Sequence, residues 1–166
     1  GMTSAFAAEP STYRMLYSGE ATTLNYLITA STNEFAIAAN VIDTLVEYDY
    51  LGQIQPSLAE TWEVSEDGLT WTFNLRKGVQ WVNGKAEPVA VLKAQDFVDA
   101  LAYLLDPDYA SGTASLVTPY VAGAEDYYNY CVWRNNANNG TVAEDGTRYA
   151  IDAAGTVTLT AADGST

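Results

Sequence analysis

Chemistry in this chain would have to be built from carboxylates, hydroxyls and aromatic rings, because its 166 residues include no histidine and one cysteine, Cys131. Without imidazole there is no Ser-His-Asp or Cys-His nucleophile and no His-ligated zinc. With one thiol there is neither an internal disulfide nor a Cys-rich metal site. No Gly-x-Gly-x-x-Gly or phosphate-loop pattern occurs, and no cofactor is expected. Catalysis would therefore need paired carboxylates acting as acid and base. The adjacent pairs Glu66-Asp67 and Glu125-Asp126 stand in turn and helix-start contexts where solvation or capping accounts for them. Nothing local would push their two pKa values apart, so an enzyme is not expected. The aromatic cluster Tyr127, Tyr128, Tyr130 and Trp133 could stack on a sugar or a peptide side chain. Its simpler use is to pack a helix onto a sheet.

The elements that would position such groups are readable from periodicity. Tyr13, Met15 and Tyr17 alternate with Arg14 and Leu16, which predicts a strand over 12–18 with both faces at least partly covered. Ser31 and Glu34 have the spacing of a capping box. The helix it would open carries Ala38, Val41, Ile42 and Leu45 as one stripe. A second helix is predicted over Ala94–Leu105, where Ala94, Phe97, Val98, Leu101, Leu104 and Leu105 share a face and Asp106-Pro107 stops it. Pro88 bars the segment around it from being a central strand. Asn135–Gly140 reads as a surface loop, and Asn139-Gly140-Thr141, although a glycosylation sequon, as a turn. Tyr149–Ile151 and Thr156–Thr160 flank Asp152–Gly155 as a hairpin.

The richest stretch is Pro56-Ser-Leu-Ala-Glu-Thr-Trp62 with Asp67-Gly68-Leu-Thr-Trp71-Thr-Phe73-Asn-Leu75-Arg76-Lys77-Gly78-Val79-Gln-Trp81. Locally it is a hairpin: Glu66-Asp67-Gly68 is the turn, with Gly68 free to take positive φ. Trp71, Phe73 and Leu75 fall on one face, expected to be the core face, while Thr70, Thr72, Asn74 and Arg76 fall on the other. Trp62 and Val64 give the preceding strand its own apolar face. The same residues, in order and spacing, resemble the hallmark of the family 5 extracellular solute-binding proteins, the oligopeptide-binding receptors of ABC importers. Asn83-Gly84 and Ala94-Gln95-Asp96-Phe97 continue the pattern. Thr23-Leu24-Asn25-Tyr26-Leu27 is similar to the peptide receptors of Gram-positive bacteria, so the resemblance runs from about Tyr13 to the C-terminus. Lys93 departs from it. The family often has a capping Thr there, and Asp96 is left to meet the helix end.

The resemblance implies a piece of a longer, two-lobed receptor with a type II periplasmic-binding-protein-like fold, α/β to α+β in class, with a mixed sheet and two main helices. Residues 1–40 would be the opening strand and helix of the first lobe, and residues 41–166 the extra domain of peptide-binding members, truncated near its last strand. Gly1 ahead of Met2 reads as a tag-cleavage scar, and no apolar run is long enough for a signal peptide or membrane span. Ala30, Ser31, Thr32 and Asn33 align with the loop that contacts the backbone of an extended peptide in family members. The implied partners are that peptide and an ABC permease, at the extracellular face of the membrane and with a lipid anchor in the full-length protein. A net charge of −14 makes nucleic acid an improbable partner. Two alternatives stay open: the same receptor family with a metal chelate, haem or sugar as ligand, or a β-rich carbohydrate-binding or adhesin module.

Overall fold

The computed structural model describes Thr12 and residues 14–166; Gly1, Met2 and Tyr13 lie outside the described residues. Its strands pair as four two-stranded antiparallel ladders joined by three α-helices. β1 (Val46–Tyr48) pairs β2 (Ile54–Pro56), and β3 (Ala59–Val64) pairs β4 (Trp71–Leu75). β5 (Gln80–Val82) pairs β6 (Pro88–Val91), and β7 (Arg148–Ile151) pairs β8 (Val157–Thr160). The helices are α1 (Thr32–Ala38), α2 (Ala94–Leu105) and α3 (Ala124–Asn139). The α+β class stands, with small antiparallel ladders where one mixed sheet was expected and a third helix besides the two.

Turn chemistry accounts for the ladders. In the β3–β4 turn Gly68 has φ 74° and the Asp67 carboxylate accepts from Leu69 N at 3.0 Å and from the Ser65 hydroxyl. Asn83 Oδ1 plays the same part in β5–β6, accepting from Lys85 N and Glu87 N at 2.8 and 3.1 Å. Asp152 does so in β7–β8, accepting from Ala154 N and Thr156 N at 2.9 and 2.8 Å. An Asx side chain holding amides two and four residues on closes the turn without help from the rest of the fold. Pro88 opens β6, where its missing N–H costs no interior ladder bond.

Four expectations need correcting. Over residues 14–17 there is no strand, and the chain is exposed, with Leu16 98% accessible; no ladder partner reaches it among the described residues. α1 ends at Ala38, so Val41, Ile42 and Leu45 follow the helix and do not form its stripe. Trp71, at the turn end of its two-stranded ladder, is 56% exposed and not in the core. Its ring stacks on Phe73 at 6.5 Å and its Nε1 donates to Gly68 O at 3.2 Å. Phe73 and Leu75 are half-buried. Residues 135–139 form the last turns of α3, not a loop.

The third helix holds because of what it packs on. Ala124, Cys131 and Asn135 are buried on one face, and Tyr130 donates to Gly155 O at 3.0 Å across the β7–β8 turn. Gly140, at φ 63°, ends α3 while Thr141 N reaches back to Asn136 O at 2.9 Å, a Schellman closure. Asp106, just past α2, ties the two long helices together. It receives Arg134 Nη2 at 2.6 Å, Asn135 Nδ2 at 3.4 Å and Asp108 N at 3.2 Å. α2 keeps its predicted bounds. Lys93 caps nothing with its side chain, and the Asp96 carboxylate accepts instead from Lys93 N at 3.1 Å and Trp81 Nε1 at 2.8 Å.

Candidate functional site

The segment Ala30–Asn33 leads into α1, and its shape is set by contacts on three sides. On one side, Ser111 Oγ donates to Leu27 O at 2.6 Å and Gly112 N to Ile28 O at 2.8 Å. The approach is close enough that a Cβ on Gly112 would stand 2.9 Å from the Ala30 Cβ. On a second side, Asn33 accepts from Ser18 Oγ at 3.2 Å and donates to Gly19 O at 3.4 Å. Beneath the segment lies Glu34, only 4% exposed. Its Oε1 accepts from Thr22 N at 2.6 Å, Thr22 Oγ1 at 2.8 Å and Thr23 N at 3.0 Å.

These contacts correct the capping-box expectation. Ser31 occupies the N-cap in extended backbone, φ −82° and ψ 128°, but makes no side-chain cap bond. Glu34 is turned to the 22–23 segment, not back to the N-cap. The Ser31 N–H instead donates to Thr29 Oγ1 at 2.8 Å. The pKa of Glu34 is lowered to about 2, with the nearby Thr29 hydroxyl as foremost cause, followed by the Thr22 hydroxyl and the amides of Thr22 and Thr23. A carboxylate with that many donors stays ionised at any physiological pH.

The four predicted residues are thus brought onto one short turn. Ala30 and Thr32 are exposed, while Ser31 and Asn33 are half-buried. Both backbone groups of Ala30 lack a hydrogen-bond partner among the described residues. Exposed, unpaired main-chain groups on an otherwise fixed turn can bond another backbone. The sequence did not flag Glu34 as a support, nor the Ser111-Gly112 cradle. Their partners lie 11–12 and 84 residues away, and no local pattern encodes such pairs.

Other candidates resolve as structure. Asp67 is committed to its turn, and Glu125 and Asp126 are exposed in the first turn of α3. The rings of Tyr127 and Tyr130 lie 6.3 Å apart and half-buried in α3, which packs on β7 and β8, so these two follow the packing reading, while Trp133 is exposed. An apolar cleft of about 740 Å³ opens between α1 and α2, lined by Phe35, Ala38, Ile42, Phe97, Leu101 and Leu104 among others.

The family model for the middle region of the bacterial extracellular solute-binding proteins, family 5, matches residues 53–161. Oligopeptide-binding protein AliB of Streptococcus pneumoniae is 45% identical over 116 residues, covering 70% of this chain and 18% of that protein. A crystal structure of Haemophilus influenzae OppA in complex with RPPGFSPFR aligns with a TM-score of 0.55 and 33% identity, over 66% of this chain and 20% of that one. The unliganded open form of the periplasmic murein tripeptide binding protein MppA aligns with a TM-score of 0.56 and 27% identity, over the same shares. The chain spans about a fifth of the length of these relatives. The helices and the family match leave no support for a β-rich adhesin module.

Proposed function

The chain belongs to the bacterial extracellular solute-binding proteins of family 5, and from that premise we propose that it is part of a receptor that captures extended oligopeptides and hands them to an ABC permease for import. The relatives named for oligopeptides, and the OppA structure holding RPPGFSPFR, support the ligand class. The observation on this chain that carries the reading is the Ala30–Asn33 turn, with open backbone groups at Ala30 and supports on three sides. Main-chain bonding of this kind accepts peptides of varied side chain. Residues 1–40 then belong to the first lobe and 41–166 to the extra domain of the peptide-binding members. The receptor works at the extracellular face of the membrane, held by a lipid anchor, and performs no catalysis.

One turn is not a binding site by itself. A few exposed hydrogen bonds contribute about 0.5–1.5 kcal/mol each, less in sum than the roughly 4–15 kcal/mol lost on association. Closure of a second lobe over the peptide must supply the rest. Titration calorimetry of the full-length receptor with a mixed pool of short peptides should show micromolar or tighter binding, and residues 1–166 alone should show none. Tight binding by the segment would overturn the division of labour. No binding by the full-length receptor would overturn the peptide reading.

A further inference from the structure

The approach to the Ala30–Asn33 turn is fastened from a distant part of the chain. Asn25 Nδ2 donates to the Tyr103 hydroxyl of α2 at 3.1 Å, and the Tyr103 ring is stacked on Tyr109 at 3.9 Å. Ser111 Oγ donates to Leu27 O at 2.6 Å while accepting from Thr113 N at 3.3 Å, and Gly112 N donates to Ile28 O at 2.8 Å. These anchors stop short of Ala30, and the Gly112 backbone closes the distance. A Cβ on Gly112 would stand 2.9 Å from the Ala30 Cβ, too close for any side-chain atom, yet 3.5 Å from Ala30 N and Ile28 O, an ordinary contact. The Gly112 φ lies outside the left-handed region, so the backbone itself would accept alanine there. What calls for glycine is the room taken by one methyl group, that of Ala30.

We infer that Ser111 and Gly112 are positioning residues: by a hydrogen bond and a steric stop they set where the Ala30–Asn33 backbone stands, and with it how well that backbone meets the peptide. The inference rests on the contact reading proposed above for that turn. The size of the effect follows from the gap. With alanine at 112, returning from 2.9 Å to an ordinary contact of about 3.4 Å would push the turn by about half an ångström, which is the tolerance within which binding groups must be held. The brace lies within residues 41–166 and the turn within residues 1–40, so the extra domain shapes the contact surface of the first lobe.

The test is a double-variant cycle on the full-length receptor: wild type, Gly112→Ala, Ala30→Gly and the two together. Each is titrated with the member of the mixed peptide pool that binds the wild type most tightly, and each is melted to establish that it is folded. Expected is a loss of affinity of about tenfold in Gly112→Ala, and of less than about twofold when the same change is made in Ala30→Gly, where the opposing methyl is gone. Amide hydrogen exchange at Ala30 of the wild type, with and without that peptide, tests the contact reading separately, and saturation should slow it. Slowed exchange with unchanged affinity in Gly112→Ala would overturn the positioning role and keep the contact. A tenfold loss that persists in the Ala30→Gly background would also overturn the role, since the effect would not pass through the turn. Exchange unaltered by the peptide would overturn the contact reading and the inference with it. If Gly112→Ala does not fold, Ser111→Ala decides: it adds no volume and removes the bond to Leu27 O, so unchanged affinity there would overturn the role.

Discussion

Replacing Arg134 with alanine tests how α2 and α3 are joined. Arg134 Nη2 lies 2.6 Å from Asp106 Oδ2, and Asp106 is 8% exposed. Stripping one partner from a fully buried ion pair costs about 3–5 kcal/mol. The Arg134 side chain, however, is 26% exposed, so water screens part of the attraction, and Asp108 N and Asn135 Nδ2 continue to bond the carboxylate. The expected cost is that of one charge-assisted hydrogen bond, about 1.5–3 kcal/mol, or a fall in melting midpoint of about 4–10 °C for a chain of this size. Urea melts of the wild type, Arg134→Ala, Asp106→Asn and the double variant give the coupling directly. The pH dependence has a fixed sign. Burial pushes the Asp106 pKa up, but the bonds from Arg134, Asp108 and Asn135 outweigh it and leave the pKa below its ordinary value. The stabilisation is therefore complete above the unfolded carboxylate pKa of about 3.9 and is lost as pH falls through the lower folded value. The Arg134→Ala deficit should be constant near neutrality and shrink in strong acid. A loss under about 0.5 kcal/mol at pH 7, the range of ordinary surface substitutions, or a deficit that grows in acid, would refute this account of the joint.

Trp71→Ala should cost only about 1–2 kcal/mol, because more than half of the side chain is already in water. Leu105→Ala, at a 5% exposed position, should cost about 2–5 kcal/mol; denaturant melts in which the tryptophan variant is the weaker would reverse the burial order. Cys131 is fully buried, and burial pushes its thiol pKa up, so a thiol-reactive dye at pH 8 should label the folded chain far more slowly than the urea-unfolded chain. Equal rates would mean that α3 does not pack as described.

Local signals were legible and long-range ones were not. The bounds of α2 and the hairpin turns at Asp67 and Asp152 followed from periodicity and turn residues, which act over a few positions. The end of α3 was hidden because its last turns are rich in Asn, which favours loops in isolation. Its burial against Asp106 supplies what propensity lacks. Ser31 and Glu34 fit a capping box by spacing, yet the carboxylate found better donors at Thr22 and Thr23. Trp71 was assigned its face correctly by alternation, but alternation does not say whether a second layer covers that face. The Ala30–Asn33 turn was located by resemblance; its supports became visible only in three dimensions.

The ladders have a colloidal consequence. With two strands in each, none of the eight has ladder neighbours on both sides among the described residues, and unpaired strand edges invite pairing between copies. Little in their sequence blunts them apart from Pro56, Pro88 and scattered charges, and Val64, Trp71, Val89 and Val91 are exposed. Against such pairing stands the shared negative charge of −14, a repulsion that acts over about 8 Å at physiological ionic strength and about 3 Å in molar salt. Light scattering from this chain should therefore rise as salt is raised from physiological to molar, and a flat trace would show that the edges do not pair.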